Sequence, residues 1–581
     1  MKSLTGLDAT FLYLETPEMP MHVGSFNLCE LPAGFKGSFH QEVTQHIAKR
    51  MHLAPVFSRK LVFMPLDLGH PLWVEADEVD ISFHIRRADP GKKGAAAMPL
   101  ADAHKLCAQL HGELIDRNFP LWEFYVFDRI QLPASQGGKI VAGFFSKIHH
   151  AALDGKGGVM LANALMDLSP IPREVAPPDP TRRRKLESDL KLGKMIGSVF
   201  SSSLGQLVKA AKSLPSVAST FGSTLARQSV GSSAKGIKAK MPMKLAPATP
   251  FNTGIGSGRV FVTATVPLAE CKAMGKAVGG SFNDIVLWIC STALRNYLTQ
   301  HHSLPKKSLV AAMPVSLREA GATDATNLGN QVSMSLVELG THLAHPIKRM
   351  NAIMASTAKV KSSVQSLKGL LPTDYPSLLA PWLVGGAAKM ALNAYGKLGK
   401  GAMPSRLPMV ANLAISNVPG PPVPLYLAGA QFLTFHPLSI ILHGLALNIT
   451  IQTYAGHVDF GIIADKKALP QANDFAKAIE AAFKEALALL TMTPPVTTPA
   501  VAAPVIAPIS SVKTRKTLVP QVTKAAPLEK SPSVKRTSRP DTVSSTNNST
   551  PSNAPSHGKS VVKPIVKKSP AKTLKHKVAS V

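Results

Sequence analysis

The spacing of apolar positions divides the chain into four stretches. Over residues 1–172, strand and helix signals alternate. Glu123–Ile130 and Lys139–Ile148 are rich in β-branched and aromatic residues. Gln131-Leu-Pro-Ala-Ser-Gln-Gly-Gly138 between them has the composition of a turn, so the pair predicts a hairpin whose second strand runs into His149-His150. A helical run follows Gly158 (Val159, Met160, Ala162, Leu165, Met166), and Ser169-Pro170 stops it. Residues 251–490 predict a second α/β unit. Its elements are a strand over Arg259–Pro267, a helix over Phe282–Thr299 and a strand over Leu309–Leu317. A late hairpin over Ala446–Thr453 and His457–Ile463 and an Ala-rich helix over Ala472–Leu490 complete it.

The other two stretches differ in kind. Residues 173–250 open with Pro177-Pro178-Asp179-Pro180 and Arg182-Arg183-Arg184-Lys185. Leu192, Ile196, Phe200, Leu204, Leu207, Val208 and Ala211 then recur mostly three and four apart, flanked by Lys191, Lys194, Lys209 and Lys212. This predicts an amphipathic helix, interrupted at Pro215, that either packs on a neighbouring domain or lies in a lipid interface. Residues 491–581 are dominated by Pro, Ala, Ser, Thr, Val and Lys and contain no aromatic side chain. Such a tail buries too little apolar surface to order itself.

Composition adds little until charge is placed along the chain. Apolar residues make up 45% of the 581, enough for globular folding, and the length exceeds a single core. The net charge of +30 excludes an acidic soluble enzyme and points to an anionic partner. From Thr491 onward there are 15 Lys/Arg against two acids, and Arg173–Leu245 carries 14 against four. The basic character therefore sits in the linker and the tail. The tail is expected to bind anionic lipid, polyphosphate or nucleic acid non-specifically, because it lacks aromatic rings on which bases stack.

Cys29, Cys107, Cys271 and Cys290 are too few and too dispersed for a disulfide framework or a zinc ribbon, which fits a reducing cytosol. The first residues include Asp8 and Glu15 and no long apolar run, so no signal peptide is expected. The longest uncharged stretch, Leu407–Val458, is broken by six prolines and reads as buried strands. No transmembrane segment is expected.

Chemistry concentrates in Ser146-Lys-Ile-His149-His150-Ala-Ala-Leu-Asp154-Gly155. A histidine at an exposed strand end is well placed as a general base, since its pKa lies near working pH. Consecutive side chains on an extended segment point opposite ways, so His149 and His150 cannot both face one substrate. Asp154 sits in the turn, where it holds the loop or orients the imidazole, and Gly155 permits a tight turn. No further ligand stands at His-Glu-x-x-His spacing, so no metal is expected. His301-His302 lacks the Asp-Gly and reads as a polar loop.

The string His-His-x-x-x-Asp-Gly resembles the active-site motif of CoA-dependent acyltransferases. Its surroundings resemble the bacterial bifunctional wax ester synthase/diacylglycerol acyltransferase family. In order, these are Leu4-Thr-Gly-Leu-Asp8-Ala-Thr-Phe-Leu, Pro20-Met-His-Val-Gly24, Pro71-Leu-Trp-Val-Glu, His84-Ile-Arg-Arg and Pro120-Leu-Trp-Glu123. In the second half they are Asn283-Asp284-Ile-Val-Leu, Pro314-Val-Ser-Leu-Arg318, Asn327-Leu-Gly-Asn330 and Ser416-Asn-Val-Pro-Gly-Pro421. The resemblance spans about residues 1–490 and implies an α/β fold of two chloramphenicol-acetyltransferase-like domains (1–172 and 251–490). A helical basic linker (173–250) joins them, and a disordered basic tail (491–581) follows.

The resemblance also implies an O-acyltransferase that moves a long-chain acyl group from acyl-CoA to diacylglycerol or to a fatty alcohol. His150 would be the general base, supported by His149, Asp154 and Gly155. Acyl-CoA is a substrate, and no cofactor is implied. Asn283 has two readings that stay open: a helix N-terminus capping position, or an amide that stabilises a tetrahedral oxyanion. Asp284 reads as structural, and Trp288 stands where a small residue is expected, which alters a pocket wall. Lys147, Lys156 and Arg318 are candidates for a basic mouth that receives CoA. Such lipid substrates imply a cytoplasmic enzyme, peripheral on the inner face of the plasma membrane or on lipid droplets. Two rivals are kept: a condensation-type acyltransferase on the same fold, and a non-catalytic lipid-granule or nucleoid-associated protein acting through its tail.

Overall fold

The computed structural model describes residues 2–63, 70–76, 78–88, 96–153, 155–178, 245–316, 332–367 and 409–492. The amphipathic run 192–211, the tail from residue 493 on, Asp154, Arg318 and Asn327–Asn330 lie outside them, and residues 491–492 end a helix. The fold is mixed α/β, built on two large sheets. The first sheet is assembled on β1 (His22–Glu30), β2 (Ile85–Arg87), β3 (Trp122–Gln131) and β4 (Ile140–His149). The predicted hairpin is β3–β4, paired antiparallel from Trp122↔Ile148 to Gln131↔Ile140 with a bulge between Phe127 and Ile130. β1 lies on the other side of β4, with His22 opposite His149. Both faces of β4 are covered, which explains its nearly continuous apolar sequence.

The second sheet takes β5 (Arg259–Pro267), β6 (Val310–Ser316), β7 (Val332–Glu338) and β8 (Leu413–Val418). From later in the chain come β9 (Tyr426–Leu427), β10 (Ala430–Phe432) and β11 (His436–Leu438), then β12 (Leu447–Tyr454) and β13 (His457–Asp465). The order of the second sheet is β7-β6-β8-β12-β13-β5. Strands β9, β10 and β11 do not join it. They pair in the first sheet, β10 and β11 directly with β1. The chain thus crosses back from the second half to complete the first sheet, which no local pattern announces. The crossing is tight. A Cβ on Gly461 of β13 would stand 1.6 Å from the Pro437 carbonyl oxygen of β11, so only glycine fits there.

Helices clothe these sheets. α1 (Gly6–Leu14) is capped by Thr5, whose hydroxyl oxygen accepts the Asp8 N–H at 3.2 Å. α2 (Phe39–Ala48) packs on β3, and α3 (Leu100–Gly112) packs on β5 and so bridges the halves. α4 (Gly155–Leu165) follows the His-His segment. In the second half come α5 (Leu268–Ala277), α6 (Phe282–Gln300), α7 (Pro346–Leu367) and α8 (Ala472–Met492). One buried cluster runs through both halves, joining Phe26, Phe127 and Phe145 to Phe261, Ile289 and Phe460. Among the described residues no single helix is long and apolar enough to cross a membrane.

Candidate active site

The two histidines part as the strand ends. His149 closes β4 and is fully buried, whereas His150 opens a 3-10 turn, His150–Ala152. Backbone bonds fix both: His149 N–H donates to Leu121 O at 3.0 Å, and His150 N–H to Met21 O at 2.8 Å. The close approach of β1 that this requires is made at Gly24, where a Cβ would meet the Ser146 carbonyl oxygen at 1.8 Å.

α1 then closes over the pair. Phe11 and Glu15 stand four residues apart, on one face of the helix and its C-cap. Phe11 stacks on the His150 ring, with centroids 4.0 Å apart and planes 12° apart. Glu15 is buried beneath His149, with its Oε1 3.3 Å from His149 Nε2 and 3.3 Å from His22 Nε2. The same oxygen accepts the Met21 N–H at 3.0 Å. Arg117 holds the other oxygen with Nη2 at 2.6 Å and Nε at 3.1 Å, a two-pronged grip.

These contacts decide protonation. His149 Nδ1 accepts the Ala151 N–H at 3.0 Å, so Nε2 carries a proton and faces Glu15. Burial alone would raise the Glu15 pKa, but its histidine neighbours outweigh that and hold the carboxyl well below its usual range. Burial and the nearby Lys147 charge push His22 down to about 4, with Glu15 opposing the shift. Burial, then the charge of His149, lowers His150 to about 4. His150 is therefore an uncharged imidazole at neutral pH, as a base must be. Its Nδ1 is enclosed without a hydrogen-bond partner among the described residues.

The sequence-predicted residues are thus distributed as follows. His149 and His150 both meet α1, through Glu15 and Phe11, Gly155 begins α4, and Asp154 is outside the described residues. Asn283 is half-buried in the first turn of α6, where its Oδ1 accepts from Asn417 Nδ2 at 3.4 Å. Two motifs 134 residues apart therefore meet. No hydrogen bond or ion pair among the described residues joins Asn283 to His149 or His150. Asp284 is structural as expected: it closes a capping box with Ser281 and accepts the Thr357 hydroxyl at 2.7 Å.

Two expectations are corrected. Lys147 is not at a channel mouth. It faces inward beside His149, fully buried, with Nζ 2.9 Å from Glu123 Oε2, which also accepts the Tyr125 hydroxyl at 2.8 Å. Trp288 lies in the common core instead of lining a pocket wall. The Pro120-Leu-Trp and His84-Ile-Arg-Arg strings are packing devices. The His84 ring stacks on Trp122 at 4.2 Å, and Trp122 Nε1 donates to Phe57 O at 3.2 Å. Phe11 and His22 stand in the first two motif strings without a role assigned to either, and Glu15 and Arg117 lie outside every motif. The one available hint is a Thr5 cap followed by two side chains one helical turn apart.

Among known proteins, the family model of the wax ester synthase/diacylglycerol acyltransferase catalytic domain matches residues 4–286, and that of the family's C-terminal domain matches residues 328–486. A Mycobacterium tuberculosis protein provisionally named a diacylglycerol O-acyltransferase is 32% identical over 489 residues, covering 83% of this chain and 98% of the relative. The O-acyltransferase WSD of Acinetobacter baylyi is 31% identical over 490 residues, covering 83% and 96%. In fold, the chain resembles the wax ester synthase/diacylglycerol acyltransferase of Marinobacter aquaeolei VT8. The TM-score is 0.57 at 24% identity, over 85% of this chain and all of that one. The family match and these relatives make the chain an acyltransferase. The chain belongs to the wax ester synthase/diacylglycerol acyltransferase family.

Proposed function

We propose that this enzyme transfers a long-chain acyl group from acyl-CoA to the hydroxyl of diacylglycerol, giving triacylglycerol, with a fatty alcohol as alternative acceptor giving a wax ester. His150 takes the proton of the acceptor hydroxyl. The oxygen attacks the thioester carbonyl carbon, the C–O bond forms, and the tetrahedral intermediate collapses with cleavage of C–S. The imidazolium returns its proton to the leaving CoA thiolate, so no covalent acyl-enzyme and no cofactor are required. The observation that carries this reading is the held, uncharged ring of His150 against Phe11. His149 is a positioning residue, anchored through Glu15. Asp154 is assigned to holding the loop or orienting the imidazole, Gly155 to the turn, and the Asn283 amide at the start of α6 to the oxyanion.

We read the chain as two chloramphenicol-acetyltransferase-like domains (1–172 and 251–490) joined by a basic helical linker and followed by a disordered basic tail. The lipid nature of the acceptors supports a peripheral, cytoplasmic enzyme on the membrane or on lipid droplets. Removal of residues 491–581 is expected to weaken binding to anionic surfaces and leave turnover intact. Loss of turnover on a soluble substrate would sink that part.

The deciding test is CoA release by wild type and His150→Ala with palmitoyl-CoA and either diacylglycerol or hexadecanol. Acceptor-dependent release that the variant loses supports the reading, and the better acceptor names the product. Equal activity in the variant removes the histidine mechanism. Absence of turnover with either acceptor points to a different acyl acceptor or to the non-catalytic granule reading.

A further inference from the structure

The turn that follows Glu15 is held from the second half of the chain. Thr16 and Met19 exchange two backbone hydrogen bonds, Thr16 N–H to Met19 O at 3.3 Å and Met19 N–H to Thr16 O at 2.9 Å. Two residues on, the Met21 N–H goes to Glu15 Oε1 and the Met21 carbonyl oxygen takes the His150 N–H. One short stretch therefore bonds both to the side chain beneath His149 and to the backbone of His150. Within the turn, the Glu18 carbonyl oxygen accepts a hydrogen bond from Nη2 of Arg259, the first residue of β5 and 241 residues away in sequence.

Arg259 is anchored at its own end as well. Its Nη1 donates to Gly256 O, and to Gly258 O at 3.3 Å. That loop is fastened to the end of β13: the Gly256 N–H donates to Asp465 Oδ2 at 2.9 Å, and the Lys466 N–H to Gly258 O at 3.1 Å. The guanidinium is buried and forms no ion pair among the described residues. Burial lowers its pKa to about 10, opposed by Asp465 and Glu18, so it stays charged at neutral pH. A buried cation held by carbonyls alone is a costly way to join two segments. Packing does not require it, since Met19 and Met21 already lie in the common core. What the planar fork adds is direction: it fixes carbonyls from two parts of the chain at once, which a lysine ammonium does not match. The end of α3 passes close by, where a Cβ on Gly112 would stand 3.4 Å from Arg259 Cγ. On the same helix, His111 Nε2 donates to Ser439 O at 3.1 Å, and its ring meets that of His22 edge to face at 6.2 Å.

We infer that Arg259 is a positioning residue for acyl transfer: from β5 it fixes the Glu15–Met21 turn, and through that turn the His149–His150 pair. This rests on the proposed acyl transfer for its kinetic consequence, though not for the coupling itself. The second half of the chain thereby takes part in setting a base that the first half carries.

The test uses the full chain. Arg259→Ala is expected to lower kcat about 10- to 100-fold, the scale of a reacting group misplaced by about 1 Å, with KM for palmitoyl-CoA and the acceptor within about twofold. Arg259→Lys, which keeps the charge and loses the fork, should lose less, and it carries the test if the alanine variant does not fold. Ile479→Ala in the core of α8 is the control: it should lower the unfolding midpoint and leave kcat unchanged. An equal fall of kcat in that control, or Arg259 variants that change only KM or the midpoint, would overturn the proposal. Combined with Glu15→Gln, the loss of kcat should be less than the product of the two single losses, because both act through one turn; a full product would overturn that route. Amide hydrogen exchange over residues 16–22 and 149–152 should be faster in Arg259→Lys, and unchanged exchange would overturn the coupling. Faster exchange in a protein whose wild type transfers no acyl group would sink the reaction and leave the coupling standing.

Discussion

The ring of Phe11 lies flat on that of His150, 4.0 Å between centroids, and it is presented by a helix 130 or more residues earlier in the chain. The stack fixes the imidazole plane and keeps water from one face. A stacked aromatic pair is worth about 0.5–1.5 kcal/mol, or up to roughly tenfold in rate. Phe11→Ala is expected to lower kcat by about three- to tenfold and, because Phe11 also packs on the core, to lower the unfolding midpoint. The acid limb of kcat/KM should move up toward the ordinary histidine range as water reaches the ring. An unchanged pH profile would show that the stack does not tune the base.

Glu15 joins Arg117 to both His149 and His22, so Glu15→Gln leaves a guanidinium without its carboxylate. Breaking a fully buried pair costs about 3–5 kcal/mol. Arg117 is 31% exposed, which reduces the expected loss to about 2–3 kcal/mol. Urea unfolding measures it. Turnover should fall through kcat more than KM, because Glu15 acts by positioning His149. Glu15→Asp should recover part of the activity.

Lys147 offers a test with the opposite sign for substrate binding. Its partner Glu123 keeps only the partly exposed Arg86, 3.6 Å away, in Lys147→Met, so the cost falls below the roughly 3–5 kcal/mol of a fully broken buried pair. Adding Glu123→Gln removes the stranded charge while retaining an acceptor for Tyr125, and stability should largely return. KM for acyl-CoA in the double variant should stay within about twofold of wild type, since a buried ammonium adds little to CoA capture at the surface. A large rise in KM would put Lys147 back at the substrate.

Acid should destabilise the protein well before carboxylates titrate. His22 and His150 are lowered to about 4 and His104 to about 3, each mainly by burial. Between the ordinary value of 6.5 and about 4, the unfolded chain binds protons that these native rings refuse. Stability therefore falls as pH drops through that window, by up to about 1.4 kcal/mol per pH unit for each ring. Glu15, held low, adds a further loss as pH falls below 4.5. Tm measured from pH 7 to 4.5 should decline throughout, and a flat Tm would contradict the burial of these rings.

Much of the fold is legible locally. Arg259–Pro267 is a strand with the bounds its alternation predicts, and the Phe282 helix and the late hairpin agree within a few residues. Helix α4 starts at Gly155, three residues before Gly158, because the turn after His150 feeds it directly.

Sequence by itself thus determined the elements, the paired histidines at a strand end and the family, because each depends on neighbours within a few residues or on motifs read in order. Tertiary structure decided the rest. It set Glu15 under His149 across 134 residues, Asn283 beside Asn417 across another 134, and Lys147 inside an ion pair. It also sent β9, β10 and β11 into the first sheet. Those outcomes turn on which buried polar atoms find partners and on where backbones pass close enough to demand glycine. Both are properties of packed neighbours that no local periodicity encodes.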